Sequence, residues 1–169
     1  DGVMEEGWEK KGALICDDAS QIYVISGYDW GGIDDLSSET YIMVDDENLY
    51  MFSKVRDDIF FAEAVNESAW ANDSIQFGIA FERTVTDEFI GGTFTEILLS
   101  KTPEGDTVWR STSENNELAT GKITAAELAV IRDEEYTCYE LKLPWTEIRP
   151  DGVDINELEK LTCSDIRIH

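Results

Sequence analysis

The chain has 169 residues, with 13 Lys and Arg against 37 Asp and Glu, and a formal net charge of −24 at pH 7. A surface this negative repels phosphate groups, which disfavours nucleic acid and anionic membranes as partners. Solubility alone explains such a charge, but a role in binding cations, above all calcium with its preference for carboxylate oxygens, explains it equally well. Neutral ligands also remain open.

The composition favours one globular domain over residues 1–169. Hydrophobic residues make up 42% of the chain, which is enough to build a core. No apolar run approaches the roughly 20 residues that cross a bilayer, so membrane insertion is not expected. Repeats and low-complexity stretches are absent. We therefore expect a single domain, cut from a larger secreted protein.

Short β-branched and aromatic segments alternate with turn residues along the whole chain, which is typical of an all-β protein. A Ser74–Phe81 strand is predicted most clearly, because Ile75, Phe77, Ile79 and Phe81 share one face. Its other face is small or polar and leaves room for a loop of the same protein or for a ligand. Nine strands are predicted, at Gln21–Ser26, Thr40–Val44, Leu49–Val55, Ser74–Phe81, Phe94–Ser100, Thr107–Ser111, Leu128–Arg132, Tyr136–Leu143 and Leu161–Ile168.

This strand count, with little helix, predicts an antiparallel β-sandwich of the jelly-roll kind. Turns at 45–48, 102–106 and 133–135 predict hairpins. Residues 59–66 are compatible with a loop or with one helical turn. A short helix starting at Thr124 is the less favoured alternative to a loop there.

Catalytic motifs are missing from the sequence. The single histidine, His169, is the last residue, which argues against a Ser-His-Asp triad. Zinc-protease, nucleophile-elbow and phosphate-loop motifs are also absent. A glycoside hydrolase needs only two carboxylates about 5–10 Å apart, and an acidic chain meets that requirement by chance. A carboxylate hydrolase therefore remains the third-ranked function, and we expect no enzyme.

Two groups of acidic residues are candidate calcium ligands. Asp45 and Asp46 lie in a predicted hairpin turn, where a purely structural role is the alternative. Asp57, Asp58 and Asp73 lie at the ends of neighbouring predicted strands, where loops of sandwich proteins gather oxygen ligands. Neither group has EF-hand spacing. Structural calcium is the one cofactor expected.

The five tryptophans divide into two kinds by their surroundings. Trp8 and Trp145 are predicted to belong to the core. Trp30, Trp70 and Trp109 lie in polar loops or at strand ends. A sugar stacks its C–H face on an aromatic ring while amides and carboxylates bind its hydroxyls. Trp70 with Asn72, Asp73 and Gln76 has this chemistry, and the alternative is that Trp70 closes one end of the core.

Four segments together resemble a family 9 carbohydrate-binding module. They are the opening Asp1–Trp8, the hairpin Val44–Tyr50 (VDDENLY), the segment Trp70–Gln76 (WANDSIQ) and the strand Tyr139–Trp145 (YELKLPW). The resemblance implies a non-catalytic β-sandwich, usually appended to a secreted bacterial enzyme that degrades polysaccharide. It also implies structural calcium and a sugar held between two Trp rings.

At the site itself the resemblance is incomplete. Trp70 matches the first Trp of sugar-binding members, whereas Gln76 stands where they have Glu. Residues 95–98 lack their Arg and Asn, and Trp109 or Trp30 is the candidate for the second Trp. The leading expectation is a monomeric, extracellular or cell-surface bacterial module that binds polysaccharide or oligosaccharide through Trp70. A structural or adhesion domain without sugar binding is the alternative.

Overall fold

A computed structural model of the chain describes residues 1–8, 12–21, 29–86, 89–114, 118–148 and 166–168; for 80–93, 114 and 166–168 it describes the backbone only. Within these ranges ten strands form two five-stranded antiparallel sheets. The predicted all-β sandwich is thereby confirmed. Its described helices are short 3-10 turns, and none is long and apolar enough to cross a membrane.

The strands of the first sheet are β1 (Leu14–Cys16), β2 (Leu36–Val44), β3 (Asn48–Asp57), β8 (Glu127–Arg132) and β9 (Tyr136–Pro144). Those of the second are β4 (Ser74–Thr86), β5 (Phe89–Thr102), β6 (Gly105–Glu114), β7 (Gly121–Lys122) and β10 (Ile166–Ile168). The first sheet has the strand order β1-β2-β3-β9-β8 and the second has the order β10-β4-β5-β6-β7. The 3-10 helices are Ala19–Gln21, Asn66–Ala71 and Trp145–Glu147.

The three predicted hairpins are present, as β2-β3, β5-β6 and β8-β9. Strands β4 and β5 are longer than predicted and pair with each other as a fourth hairpin. Residues 60–65 form a loop, the helical turn comes afterwards at Asn66–Ala71, and the alternative helix at Thr124 does not form. Of the predicted strand Gln21–Ser26, Gln21 belongs instead to the 3-10 helix Ala19–Gln21, because its N–H donates to the Asp18 carbonyl over 2.9 Å. Residues 22–26 of that strand, and residues 161–165 of the last predicted one, lie outside the described residues.

The core lies between the two sheets. Ile75, Phe77 and Ile79 point into it, as the alternation of β4 predicts, and Trp145 is buried among them. The fourth predicted member of that face, Phe81, is described by its backbone only. Facing side chains come from both sheets, including Leu49, Met51, Val55, Ile97, Leu99, Val108, Val130, Leu141 and Leu143. This apolar layer holds the sandwich together.

The outer face of the first sheet is covered by the N-terminal segment. Trp8 is buried there with Tyr41 and Phe52, and its ring centre lies 6.1 Å from that of Phe52. At the start of this segment the Gly2 N–H donates to Glu140 Oε2 over 2.7 Å. Trp8 is therefore a core residue, as predicted, although it belongs to a separate cluster from Trp145.

The outer face of the second sheet is covered by residues 59–72, called the cover segment below. Its 3-10 helix, Asn66–Ala71, contacts β4, β5, β6 and β7. Leu98 and Ser100 alternate with the core residues of β5 and so point outward, yet both are buried. The cover segment thus places a short helix on the face opposite to the core, and this helix carries Trp70.

Candidate functional site

Trp70 is the most exposed tryptophan of the chain. All five tryptophans fall in described residues, and Trp8 and Trp145 are buried. Trp30 and Trp109 are half-buried, whereas Trp70 is 60% exposed. An aromatic ring that meets water over most of its surface is available for stacking. This exposure is contrary to the alternative prediction, in which Trp70 closes one end of the core.

The 3-10 helix beneath Trp70 is tightly held. The neighbouring Ala69 is completely buried, so the helix has one side against the protein and one toward solvent. The helix begins at Asn66, which adopts a left-handed φ of 54°, a conformation that asparagine tolerates better than most residues. Successive side chains of a 3-10 helix point roughly 120° apart, so Ala69 can face the protein while Trp70 faces solvent.

Asn72 lies beneath the cover segment and ties it to the second sheet. Its Oδ1 accepts the Ala64 N–H over 2.7 Å, and its Nδ2 donates to the Ala64 carbonyl over 2.9 Å. Nδ2 also lies 3.1 Å from the Lys101 carbonyl and 3.2 Å from Ser100 Oγ. The residue is 2% exposed. Its position speaks against the predicted direct contact with a ligand and assigns Asn72 a positioning role.

Gln76 and Trp109 lie in one row across the second sheet. Gln76 on β4 is paired with Leu98 on β5, which is paired with Trp109 on β6. All three point to the outer face, because their sequence neighbours Ile75, Leu99 and Val108 belong to the core. Two strand spacings, roughly 10 Å, separate Gln76 from Trp109. The structure therefore places both residues on the face that carries Trp70.

Part of the small and polar face of β4 is covered by this protein itself. Ser74 is buried on it, at the foot of the cover segment. At Gly78 the Phe94 ring occupies the space of a side chain, since a Cβ on Gly78 would lie 2.4 Å from Phe94 Cε2. Of the two possibilities for this face, a loop of the same protein or a ligand, the described residues realise the first at Ser74.

Trp30 lies apart from the other candidates. It precedes β2, in the first sheet, and its indole N–H donates to the Leu36 carbonyl over 2.8 Å. That hydrogen bond and its half-buried state make Trp30 part of the loop structure before β2. The structure therefore does not bring Trp30 to the face of Trp70.

Asp57 and Asp73 form a pair of half-buried carboxylates at one end of the sandwich. Burial raises the pKa of Asp73 from 3.8 to about 6, and the negative charge of Asp57 adds to the effect. Burial likewise raises the pKa of Asp57, helped by Asp58 and Asp35. The Arg132 guanidinium opposes both shifts and donates to the Asp57 carbonyl over 2.7 Å. This end of the sandwich therefore carries uncompensated negative charge at neutral pH.

Asp45 is engaged in the β2-β3 hairpin. Its Oδ1 accepts the N–H groups of Glu47 and Asn48, and its Oδ2 accepts the hydroxyl of Tyr50 over 2.8 Å. The hydrogen bond from Glu47, above all, holds the pKa of Asp45 below its usual value. Asp46 beside it is exposed. The turn lies at the opposite end of β3 from Asp57, so the two predicted acidic groups do not converge.

Metal ligation by side chains alone has limited support. Among the described residues, no three acidic, histidine or cysteine side chains lie close enough together to hold an ion. Asp57 and Asp73 supply two carboxylates at one end, and calcium also accepts carbonyl and water oxygens. This pair is the part of the predicted ligand set that fits a calcium ion best.

Phe61 is an exposed aromatic residue that sequence reasoning missed. It is 44% exposed, whereas the ring of its neighbour Phe60 lies 5.5 Å from the guanidinium of Arg132. Ile59-Phe60-Phe61 is a short apolar run without a period, so the sequence does not show which ring faces out. The exposure of Phe61 is set by the path of the cover segment.

Comparison with known proteins defines the class of fold. No protein-family model and no curated protein matches the chain. Among solved structures, the chain is similar to a β-sandwich of the carbohydrate-binding-module kind. That structure is a family 9 carbohydrate-binding module from Caldicellulosiruptor kristjanssonii in complex with glucose. The TM-score is 0.51 at 16% identity, over 90% of this chain and 67% of the other. A likeness at this identity shows the fold.

Replacement of Asn72 tests its positioning role. Asn72→Ala leaves the part-buried N–H and carbonyl of Ala64 without this partner and removes one of the hydrogen bonds to the Lys101 carbonyl, so we expect a loss of about 2–4 kcal/mol in the free energy of unfolding. Urea denaturation followed by tryptophan fluorescence measures this loss. Ser68→Ala is the matched control, because Ser68 is exposed in the same helix and its loss costs about 0.5 kcal/mol or less. Equal stability of the two variants would refute the role.

Replacement of Asp73 tests the electrostatic strain at the sandwich end. A folded-state pKa of about 6 lies above the unfolded value near 3.8, so the folded protein binds the proton more tightly. The resulting cost is absent below pH 4, grows between pH 4 and 6, and is complete above pH 6. In EDTA at pH 7.5, Asp73→Asn should therefore raise the stability by about 1 kcal/mol, after discounting for solvent screening.

The gain should vanish near pH 3.5, where both carboxyl groups are protonated. Asn retains an oxygen that accepts the Phe61 N–H, so the hydrogen bond to the cover segment survives. Asp46→Asn removes an exposed charge from the other end of β3 and serves as the control. Thermal melts in EDTA across this pH range measure the effect. A loss of stability at pH 7.5 would contradict the assignment.

Proposed function

We propose that this domain binds a neutral carbohydrate, without catalysis, through stacking on Trp70. The observation that carries the proposal is the 60% exposure of Trp70 on a helix held from below by Asn72. A large aromatic side chain on a rigid, exposed helix is costly to hydrate, so the free energy falls when an apolar surface covers it. The C–H face of a pyranose ring is such a surface.

The polar groups around Trp70 support a sugar as the ligand. Glu63 and Glu67 are exposed on the cover segment, and Gln76 is half-exposed at the sheet below. Carboxylates and amides accept and donate the hydrogen bonds that hydroxyl groups make. The formal charge of −24 favours a neutral ligand over an anionic one. The family 9 module with the similar fold was solved with glucose, which supports the same class of ligand.

A structural or adhesion domain without sugar binding is the alternative function. That hypothesis requires Trp70 to be packed under a loop with no ligand surface, whereas Trp70 is exposed. The exposure favours ligand binding. We further propose that the domain is linked to an enzyme acting on polysaccharide, in a protein at the bacterial cell surface or outside the cell, and that it acts as a monomer.

Substitution at Trp70 tests the proposed function. We expect Trp70→Ala to weaken glycan binding at least tenfold, because the stacking surface is removed, while Trp70→Tyr keeps part of the affinity. A glycan array identifies the ligand, and calorimetric titration measures the affinities. Trp30→Phe is the control, since Trp30 lies away from this face. Unchanged binding by the Trp70→Ala variant would contradict the role of Trp70.

We also propose a structural calcium ion at Asp57 and Asp73. Both carboxylates are half-buried, burial raises the pKa of each, and the negative charge of Asp57 adds to the shift at Asp73. A divalent cation would offset the cost of holding these charges away from water. Within the described part of the chain, Asp58 is exposed beside Asp57 and does not lie close enough to complete a group of three carboxylates, and Asp45 and Asp46 are the less favoured group. The remaining ligands would be backbone carbonyls and water.

Calcium addition tests this site. At pH 7.5 we expect millimolar calcium to raise the melting temperature of the EDTA-treated protein by several degrees, because the ion binds only the native state. Asp73→Asn and Asp57→Asn should abolish the increase, and Asp46→Asn should retain it. Differential scanning calorimetry measures all four proteins. An equal melting temperature in calcium and EDTA for the wild type would exclude the ion.

A further inference from the structure

The cover segment exposes a second aromatic side chain besides Trp70. Phe61 is 44% exposed, although a phenylalanine gains free energy from burial. Among the described residues, it is the most exposed phenylalanine. The ring of its neighbour Phe60 packs against the guanidinium of Arg132, whereas the ring of Phe61 is left exposed to water.

The backbone of Phe61 is held in place by Asp73. The Phe61 N–H donates to Asp73 Oδ2 over 2.7 Å, and the Asp73 N–H donates to the Phe61 carbonyl over 2.8 Å. Three residues further along the loop, Ala64 is held by Asn72. Both ends of the loop around Phe61 are thus attached to the segment that follows Trp70. An exposed ring on such a rigid base loses little conformational entropy when a ligand covers it.

The separation of Phe61 and Trp70 is bounded by the hydrogen bonds of Asp73 and by the length of the chain between Trp70 and Asp73. Trp70 precedes Asp73 by three residues, so their Cα atoms are at most roughly 11 Å apart. The mutual hydrogen bonds put Phe61 next to Asp73, at the roughly 5 Å of paired strands. The Cα atoms of the two aromatic residues are therefore no more than roughly 16 Å apart, with the exposed Glu63 and Glu67 on the same segment.

Resting on the proposed function, we infer that Phe61 is a second stacking position and that the site binds a chain of several sugar residues. Trp70 takes one residue of the chain and Phe61 takes another. The carboxylates of the cover segment accept hydrogen bonds from the hydroxyl groups between them. The ligand is a neutral oligosaccharide or a stretch of polysaccharide, and a single sugar occupies only the Trp70 position.

The dependence of affinity on chain length tests this inference. Glucose, cellobiose and cellotetraose are titrated calorimetrically into the wild type and into Phe61→Ala, Trp70→Ala and Ile59→Ala. If the glycan array described above identifies another neutral glycan as the ligand, the monomer, dimer and tetramer of that glycan replace this series. The wild-type affinity should rise at least tenfold from monomer to tetramer. Phe61→Ala should bind the monomer as the wild type does and lose that rise. Trp70→Ala should be weakened at every length.

Ile59→Ala is the matched control, because Ile59 is 70% exposed two residues before Phe61 and is apolar without a ring. It should bind like the wild type. Equal affinity of Phe61→Ala and wild type for the tetramer would overturn the inference and leave the proposed function standing. An equal loss of tetramer affinity in Ile59→Ala would also overturn the inference, because the contribution would then come from a general apolar surface and not from the ring of Phe61.

Two further results separate this inference from the proposed function. Phe61→Leu, which keeps an apolar side chain and lacks the ring, checks folding, and its melting temperature should stay within a few degrees of the wild type. It should bind the tetramer as weakly as Phe61→Ala does. A wild-type protein that binds no member of the series and no glycan of the array would refute the proposed function and this inference together.

Discussion

The candidate site depends on the hydrogen bonds made by the side-chain amide of Asn72. A loop lying on a sheet buries backbone groups that have no partner in either element, and each such group costs free energy unless it is hydrogen-bonded. One primary amide satisfies the N–H and the carbonyl of Ala64, and reaches Ser100 and Lys101 on the sheet. The cover segment can therefore lie rigidly on the sheet while it exposes Trp70.

Asp73 connects the charge of this protein to its exposed aromatic side chains. The carboxylate is half-buried beside Asp57, and the same group accepts the N–H of Phe61. A proton or a cation at Asp73 would relieve the repulsion between the two acids without removing that acceptor, since a carboxyl group has two oxygens. The stability of the sandwich end and the position of Phe61 thus depend on one side chain.

Strands and hairpins could be predicted well from local pattern. The alternation of Ile75, Phe77 and Ile79 identified the inward face of β4, because side chains of a strand alternate between its two sides. Trp145, following the alternating β9 strand, was recognised as core for the same reason. The ends of β4 and β5 were not predicted correctly. Beyond Ala80 the two strands continue by pairing with each other, and pairing between strands leaves little signal in the local sequence.

Composition and pattern by themselves determined the sandwich class, the inward face of β4, and Trp70 as a candidate platform. Tertiary structure alone decided which polar residues reach the face that carries Trp70. Asn72 was predicted to contact a sugar and is buried, whereas Phe61, for which no prediction was made from the sequence, is exposed. The physical reason is that the cover segment has no sequence period, so its inward and outward side chains are set by the sheet on which it lies. Trp30 and Trp109 were equivalent candidates in the sequence, and only the structure separated them, because Trp30 lies in the loop before β2 of the first sheet and Trp109 lies on β6 of the second.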